Sequence, residues 1–323
     1  MNHRVDGSQA YKAPQSGSLV AIGNFDGVHR GHIRVVSELR AEAAAQGLAP
    51  VVLTFDPHPA AVLGRKAPDV LTPLSRKIEL LAQAAPDLSV VVEPFTLELA
   101  GRSPAEFAAG LLSEALRARL AIVGNNFRFG KGRAGDLNTL VQLGREYGFE
   151  ARALSLLGDA EGAYSSSRVR AHVQRGELDQ AWEILGRPHA LSGTVVAGDR
   201  RGRSIGFPTA NLDAVVELLP PHGVYACVVD RVDEGTQALA YGVANIGVRP
   251  TVGAGFSVEV HLLDFAGDLY GRQLRVHLLK GLRGEQKFGD LDALKAQITV
   301  DATLARAVAE AACPESPKNR GFF

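Results

Sequence analysis

The sequence predicts an α/β fold in two parts: an N-terminal domain built on a doubly wound parallel sheet, then a small antiparallel β-barrel with a C-terminal helix. Three observations carry that expectation. The chain has 323 residues, more than one hydrophobic core usually serves. From Leu19 to about Gly186, short apolar runs alternate with amphipathic helical stretches. After Gly186, Arg187 and Pro188 the pattern changes to short, evenly spaced strands broken by turns.

Residues 1–17 carry no periodic run and are expected to form a flexible tail. The sheet begins at "SLVAIG" and continues, in order, with a helix through "HIRVVSELRAEAAAQG", the strand "APVVLTF", a helix at "LSRKIELLAQA" and the strand "LSVVVEPF". The helix "SPAEFAAGLLSEALRA" follows, with Ser103 placed to cap it and Pro104 at its first position, and then the strand "RLAIVG". Parallel strands need crossovers of this length, and the helices then cover both sheet faces. Ligands of such sheets sit beyond the carboxyl ends of the strands, where Gly23, Asp56 and Asn126 fall. A helix at "ELDQAWEILG" closes the first domain, taken as 18–186.

The second domain, 187–312, reads as the strands "ALSGTVVAG", "GVYACVVD", "ALAYGVANIG", "SVEVHLLDF" and "QLRVHLLKGL", followed by the helix "DLDALKAQITVDATLARAVAEA". Strands so spaced, without intervening helices, predict a barrel or sandwich. Residues 313–323 are expected to be a tail. Within the barrel, alternation places Val258, Val260 and Leu262 on one face of a strand and Glu259 and His261 on the other. Trp182 is expected to pack at the junction of the domains and His277 to be structural.

Composition narrows the function. Lys plus Arg and Asp plus Glu both number 35, so no whole-molecule field exists to hold nucleic acid or an anionic membrane. No run approaches the roughly 18 apolar residues of a membrane helix, and the N-terminus lacks a signal peptide's apolar segment. The two cysteines, Cys227 and Cys313, form no CxxC pair, which argues for unpaired thiols in a reducing compartment. A cytoplasmic protein acting on small molecules is expected, with no nucleic-acid or membrane partner; protein partners are left open.

The stretch "GNFDGVHRGH", 23–32, carries chemistry. Its glycines let backbone amides approach a phosphate, and the following helix offers unpaired N–H groups and the positive end of its dipole. His29 and His32 are three apart, so both rings can face one anion and donate to charge developing on a transferring phosphoryl group. A lone histidine there would more often be a cap or a packed ring. Two generic motifs nearby fail on context. "GKGRAG" matches GxGxxG, but the preceding strand ends at Gly124 with an aromatic segment between; a Walker A loop would need Ser or Thr where Gly132 stands.

A second stretch, "GDRRGRSIGFPTANL" at 198–212, packs glycines and arginines before a Pro-Thr-Ala-Asn turn. Gly198, Arg203 and Gly206 suit phosphate, while the Thr209 hydroxyl and Asn211 carbonyl are hard oxygen ligands for Mg²⁺.

These motifs resemble those of the bacterial bifunctional riboflavin kinase/FAD synthetase family. The long form GNFDGVHxGH is far more specific than HxGH alone, and the resemblance continues through "LTFDPHP", "VGNNFRFGKGRAGD", "SSSRVR", "GFPTANL", "YGVANIGVRPTVG", "VEVHLLDFAGDLYG" and "LRGEQKFGDLDALKAQITVD". It covers nearly the whole chain. It implies that the N-terminal nucleotidyltransferase domain transfers AMP from ATP to FMN, releasing pyrophosphate and forming FAD. The C-terminal domain would phosphorylate riboflavin to FMN, and both would use Mg²⁺-ATP. The same resemblance assigns Gly23, Asn24, Phe25, Asp26 and Gly31 to the ATP site with Ser166 and Arg168, and gives His29 and His32 the triphosphate charge. Asp56, Pro57, His58, Asn125, Asn126 and Arg283 would meet flavin, and Glu259 would be the kinase base. The chain departs from the family pattern at Ser167, where Thr is usual, at Tyr164, and at Asn126, where many relatives have Asp. Competing readings are a flavin or nucleotide carrier without chemistry, an RNA-handling protein on an HxGH domain, and a chain active in one half only.

Overall fold

The computed structural model describes residues 3–154, 157–198, 202, 205–248 and 256–312. They form two compact units, Met1–Ser165 and Ser166–Phe323.

The first unit is a six-stranded sheet of β1 (Arg4–Asp6), β2 (Ser18–Ile22), β3 (Ala49–Asp56), β4 (Ser89–Pro94), β5 (Ala118–Val123) and β6 (Glu150–Ala153), in the order β1-β4-β3-β2-β5-β6. Every pairing is parallel. Its helices are α1 (Arg30–Gln46), α2 (Pro59–Val62), α3 (Leu74–Ala84), α4 (Leu97–Gly101), α5 (Pro104–Glu106), a π-helix (Phe107–Ala115) and α6 (Leu137–Tyr147). The period of two divides each strand between two cores. Leu19 and Ala21 pack with Val36, Leu39 and Leu81 of α1 and α3 on one face. Val20 and Ile22 pack with Phe107, Leu111 and Leu140 on the other. From β2 the chain winds to β3 and β4 on one side, then returns to β5 on the other. The carboxyl ends of β2 and β5 therefore flank the crevice where the winding reverses.

Three features differ from the sequence reading. Residues 4–6, expected in a flexible tail, pair with Val90–Val92 at the sheet edge, and the Ser8 N–H donates to Glu93. The sheet edge supplies a backbone template that a three-residue strand cannot advertise by periodicity. Ser103 and Pro104 start a helix as expected, with a reciprocal capping box to Glu106, but the following turns are π-helical, the Leu116 N–H reaching back to Leu111 O. Neither α6, set between the Asp136 cap and left-handed Gly148, nor β6 at the far sheet edge was expected, and a two-stranded hairpin of β7 (Gly158–Asp159) and β8 (Gly162–Ala163) follows them.

The second unit opens with α7 (Ser166–Arg175) and α8 (Leu178–Leu185). A closed antiparallel barrel follows, built of β9 (His189–Val196), β10 (Ala210–Asp213), β11 (Gly223–Arg231), β12 (Gln237–Val248), β13 (Phe256–Leu262) and β14 (Gln273–Arg283). Its interior takes Cys227, Val229, Val258, Val260, Leu274 and Val276. Val224, Ala226, Val228 and Leu279 face outward, where Ala305 and Ala309 of the terminal helix α9 (Leu291–Ala312) cover them. Trp182 packs against that same outer layer of barrel and α9 residues. His277 is buried against Asp230, Nε2 to Oδ2 at 2.9 Å. Cys227 is a free, buried thiol; Cys313 lies outside the described residues. Among the described residues no helix is long and apolar enough to cross a membrane.

Candidate active sites

At the β2–β5 crevice lies a cavity of about 500 Å³. The turn 23–29 that forms one side of it is held from three directions. The Gly23 N–H donates to Leu53 O, Thr54 donates to the Asn24 carbonyl, and the Asp26 carboxylate accepts the backbone N–H groups of Leu71 and Thr72. Phe25 and Val28 sit at positive φ and are buried, which a turn tolerates only when its surroundings fix it. His29 is itself the cap of α1, its Nδ1 accepting the His32 N–H at 3.3 Å. That acceptor role leaves the proton of a neutral His29 on Nε2. The two imidazoles stack at 3.6 Å. Gly31 has a reason to be glycine: a Cβ there would stand 3.0 Å from the His29 ring and 3.6 Å from Tyr164 Cβ.

Of the residues expected from sequence, Gly23, Asn24, Phe25, His32, His58 and Asn126 line this cavity. Asp56, Pro57 and Asn125 are exposed near it at the ends of β3 and β5. Asp26 spends its oxygens on the loop before α3. Ser166 and Arg168 begin α7 and belong to the second unit.

Sequence reasoning missed most of the cavity wall. Phe55 meets Phe95 edge-on at 5.8 Å, and Phe129 lies 5.3 Å from Phe107 and 5.4 Å from Phe127. Arg65, Arg128 and Arg133 stand among these rings on the cavity lining. An aromatic slot beside three guanidinium groups suits a planar ring system that carries an anion. The signal was the alternation of Phe, Arg and Lys in "FRFGKGR". Lys77 was also missed. It is 8% exposed; burial pushes its ammonium below the ordinary lysine range, while nearby Asp26 and Asp56 pull the other way.

The barrel carries the second site. Asn211 of β10 pairs directly with Glu259 of β13, and Glu259 pairs with Asn245 of β12. Directly paired residues share a sheet face with Cβ atoms roughly 5 Å apart, so one row across three strands holds amide, carboxylate and amide. Val258, Val260 and Leu262 are buried, as alternation predicts. Thr209, Asn211 and Gly198 line a cavity of about 630 Å³ with Phe265, Asp268 and Tyr270. Gly198 lies against Asn211, where any side chain would overlap the amide. His261 Nδ1 bonds the Pro208 carbonyl at 2.8 Å, holding the strand entry. Gly206 takes a left-handed φ of 93° beside this turn, while Arg203 lies outside the described residues. Arg283 turns to α9: its Nε and Nη2 donate to Asp301 at 2.8–3.1 Å, its Nη1 donates to Gly284 O, and its face meets Phe288 at 5.6 Å.

Comparison with known proteins agrees with this division. Residues 11–168 match the family model for FAD synthetase and residues 185–309 the model for riboflavin kinase. The chain is 43% identical over 297 residues to the bifunctional riboflavin kinase/FMN adenylyltransferase of Escherichia coli (strain K12), covering 91% of this chain and 94% of that one. Its identity to the protein of the same name from Pseudomonas fluorescens is 38% over 307 residues, 94% and 97% of the two chains. A crystal structure described as a macrolide-efflux protein from Streptococcus pneumoniae superposes with a TM-score of 0.79 at 26% identity, over 94% of this chain and 98% of that one.

Proposed function

The chain belongs to the bifunctional riboflavin kinase/FMN adenylyltransferase family, and from that premise we propose how its two sites divide the work. The barrel unit phosphorylates riboflavin to FMN with ATP. The parallel-sheet unit adenylylates FMN with ATP to give FAD and pyrophosphate. The observation that best supports this reading is that each unit holds its own cavity beside its own signature, Asn24 and His32 in one and Thr209 and Asn211 in the other.

In the first site Phe55, Phe95, Phe107, Phe127 and Phe129 would receive the flavin ring and Arg65, Arg128 and Arg133 its phosphate. An FMN phosphate oxygen attacks the α-phosphorus of ATP in line and pyrophosphate leaves. The His29 Nε2–H and the His32 ring would donate to the charge that builds on the phosphates. Asp26 serves by holding the turn.

In the barrel, Glu259 would accept the proton of the riboflavin hydroxyl as its oxygen bonds the γ-phosphorus and ADP departs. Asn211 and Asn245 flank the carboxylate and fix its position. Among the described residues no group of three or more His, Cys, Asp or Glu side chains could hold a metal. The Thr209 hydroxyl, the Asn211 carbonyl and Asp268 do offer hard oxygens in one cavity, which fits an ion that keeps several waters and takes few protein ligands. Bound there with ATP, Mg²⁺ would neutralise phosphate charge. Arg283 is assigned to anchoring α9. The absence of net charge supports small molecules as the partners, and the free Cys227 thiol supports a reducing compartment such as the cytoplasm.

Incubating pure protein with riboflavin, ATP and Mg²⁺ and separating the products over time tests the assignment. FMN appearing first and FAD after it is expected. Flavin bound without ATP consumption would leave only a carrier, and FMN without FAD would remove the first site's role.

A further inference from the structure

Asn24 lies on the wall of the first cavity, and the inference drawn here rests on the adenylyltransfer reading of that cavity. It concerns what fixes the direction of the Asn24 side chain. His58 caps α2, its Nδ1 accepting the Ala60 N–H at 3.1 Å. A ring nitrogen that accepts from an amide must present a lone pair, so the proton of the neutral imidazole sits on Nε2. Nε2 lies 3.0 Å from Nδ2 of the Asn24 carboxamide, whose nitrogen and oxygen are told apart only by the hydrogen bonds they make. Turned with its NH₂ towards that nitrogen, the amide would set donor against donor. Only the orientation with Oδ1 towards the ring makes a hydrogen bond.

We infer that His58 is a positioning residue: it locks the Asn24 carboxamide with Oδ1 on the imidazole and the NH₂ turned into the cavity, as a donor to a phosphate oxygen of ATP or FMN. The surroundings leave the side-chain amide as the one freedom to be settled. The Asn24 carbonyl accepts from Thr54, which is fully buried at 0% exposure, and the neighbouring Gly23 N–H is bound to Leu53 O. Asn24 and His58 are 34 positions apart but meet because β2 and β3 are paired, Ile22 against Leu53. A carboxamide is nearly symmetric in shape, so without a partner it would offer a phosphate its oxygen as readily as its NH₂. The oxygen would repel the anion.

The test uses the full chain with ATP and FMN as substrates and FAD formation as the readout, with the KM of each substrate measured separately. His58→Gln can supply an N–H near the place of Nε2 but loses the acceptor for Ala60; His58→Asn keeps that acceptor and loses the reach to Asn24. The inference expects the Gln variant to stay within about threefold of the parent. In the Asn variant the KM of the substrate whose phosphate Asn24 meets should rise about tenfold or more, with kcat changing less, the effect of one charge-assisted hydrogen bond. Asn24→Asp, which disturbs neither the ring nor its cap, should raise the same KM, and which KM moves identifies ATP or FMN. Near-parental activity of His58→Asn with loss in His58→Gln would mean that His58 only caps α2 and would overturn the inference. An unchanged KM in Asn24→Asp would overturn it as well, whatever the position-58 variants do. A parent chain that makes no FAD from FMN and ATP would instead overturn the adenylyltransfer reading.

Discussion

At the scale of single residues, the kinase row is the most sharply testable feature. Glu259 sits between Asn211 and Asn245 by strand register, so Glu259→Gln keeps shape and hydrogen bonding while removing the proton acceptor. FMN production from riboflavin is expected to fall about a hundredfold or more, the usual worth of a positioned base, with conversion of supplied FMN to FAD unchanged. Gly198→Ala tests the same site from its second wall. The added methyl would displace the Asn211 amide, the flexible end of a side chain, so riboflavin phosphorylation should drop while the thermal midpoint barely moves. The sequence marked Glu259, Thr209 and Asn211 by motif and alternation. It could not mark Asn245, because nothing local in "YGVANIG" says which residue will lie opposite Glu259.

At the scale of elements, two ion pairs hold the second unit's helices. Glu177 stands between α7 and α8; hydrogen bonds from the Arg175 guanidinium and then from His172 hold its carboxyl down at about 2. A carboxyl lowered in the folded chain contributes stability that is present above its unfolded value near 4.5 and is lost as pH falls through about 2. Denaturant unfolding should therefore show the parent's advantage over Glu177→Gln shrinking from pH 5 to pH 2. Asp301 of α9 is 2% exposed and receives three hydrogen bonds from Arg283. Truncating it to alanine leaves a guanidinium without its anion, and the barrel unit should lose about 3 kcal/mol, read as a lower urea midpoint. Apart from α6 and α7, which the reading of the sequence passed over, the longer helices and five of the six barrel strands were legible from periodicity. Short elements were not: β1 and β10 are three and four residues long and exist because a neighbouring strand offers its backbone. The π-helix at 107–115 was legible as a helix, but its hydrogen-bond step has no signature in "FAAGLLSEA".

For the whole molecule, two units with separate cavities predict separable activities. The double variant His29→Ala, His32→Ala should abolish FAD formation and leave FMN accumulating from riboflavin at the parental rate; FAD formed as fast as by the parent would show that the stacked pair is not part of the first site. By itself the sequence determined the fold class, the order of the two units and the residues of the two signatures. Periodicity, glycine turns and motif spacing are local properties, and a short stretch of chain states them completely. Only the tertiary structure decided which residues meet. The six phenylalanines and three arginines of the first cavity come from β3, the π-helix and the turns and loops around them, and the Asn211–Glu259–Asn245 row depends on the register of three strands. It also turned Asp26 to the 71–72 loop and Arg283 to Asp301. The physical reason is that a charged side chain's role is set by the partner that desolvation forces it to find, and that partner can come from anywhere in the chain.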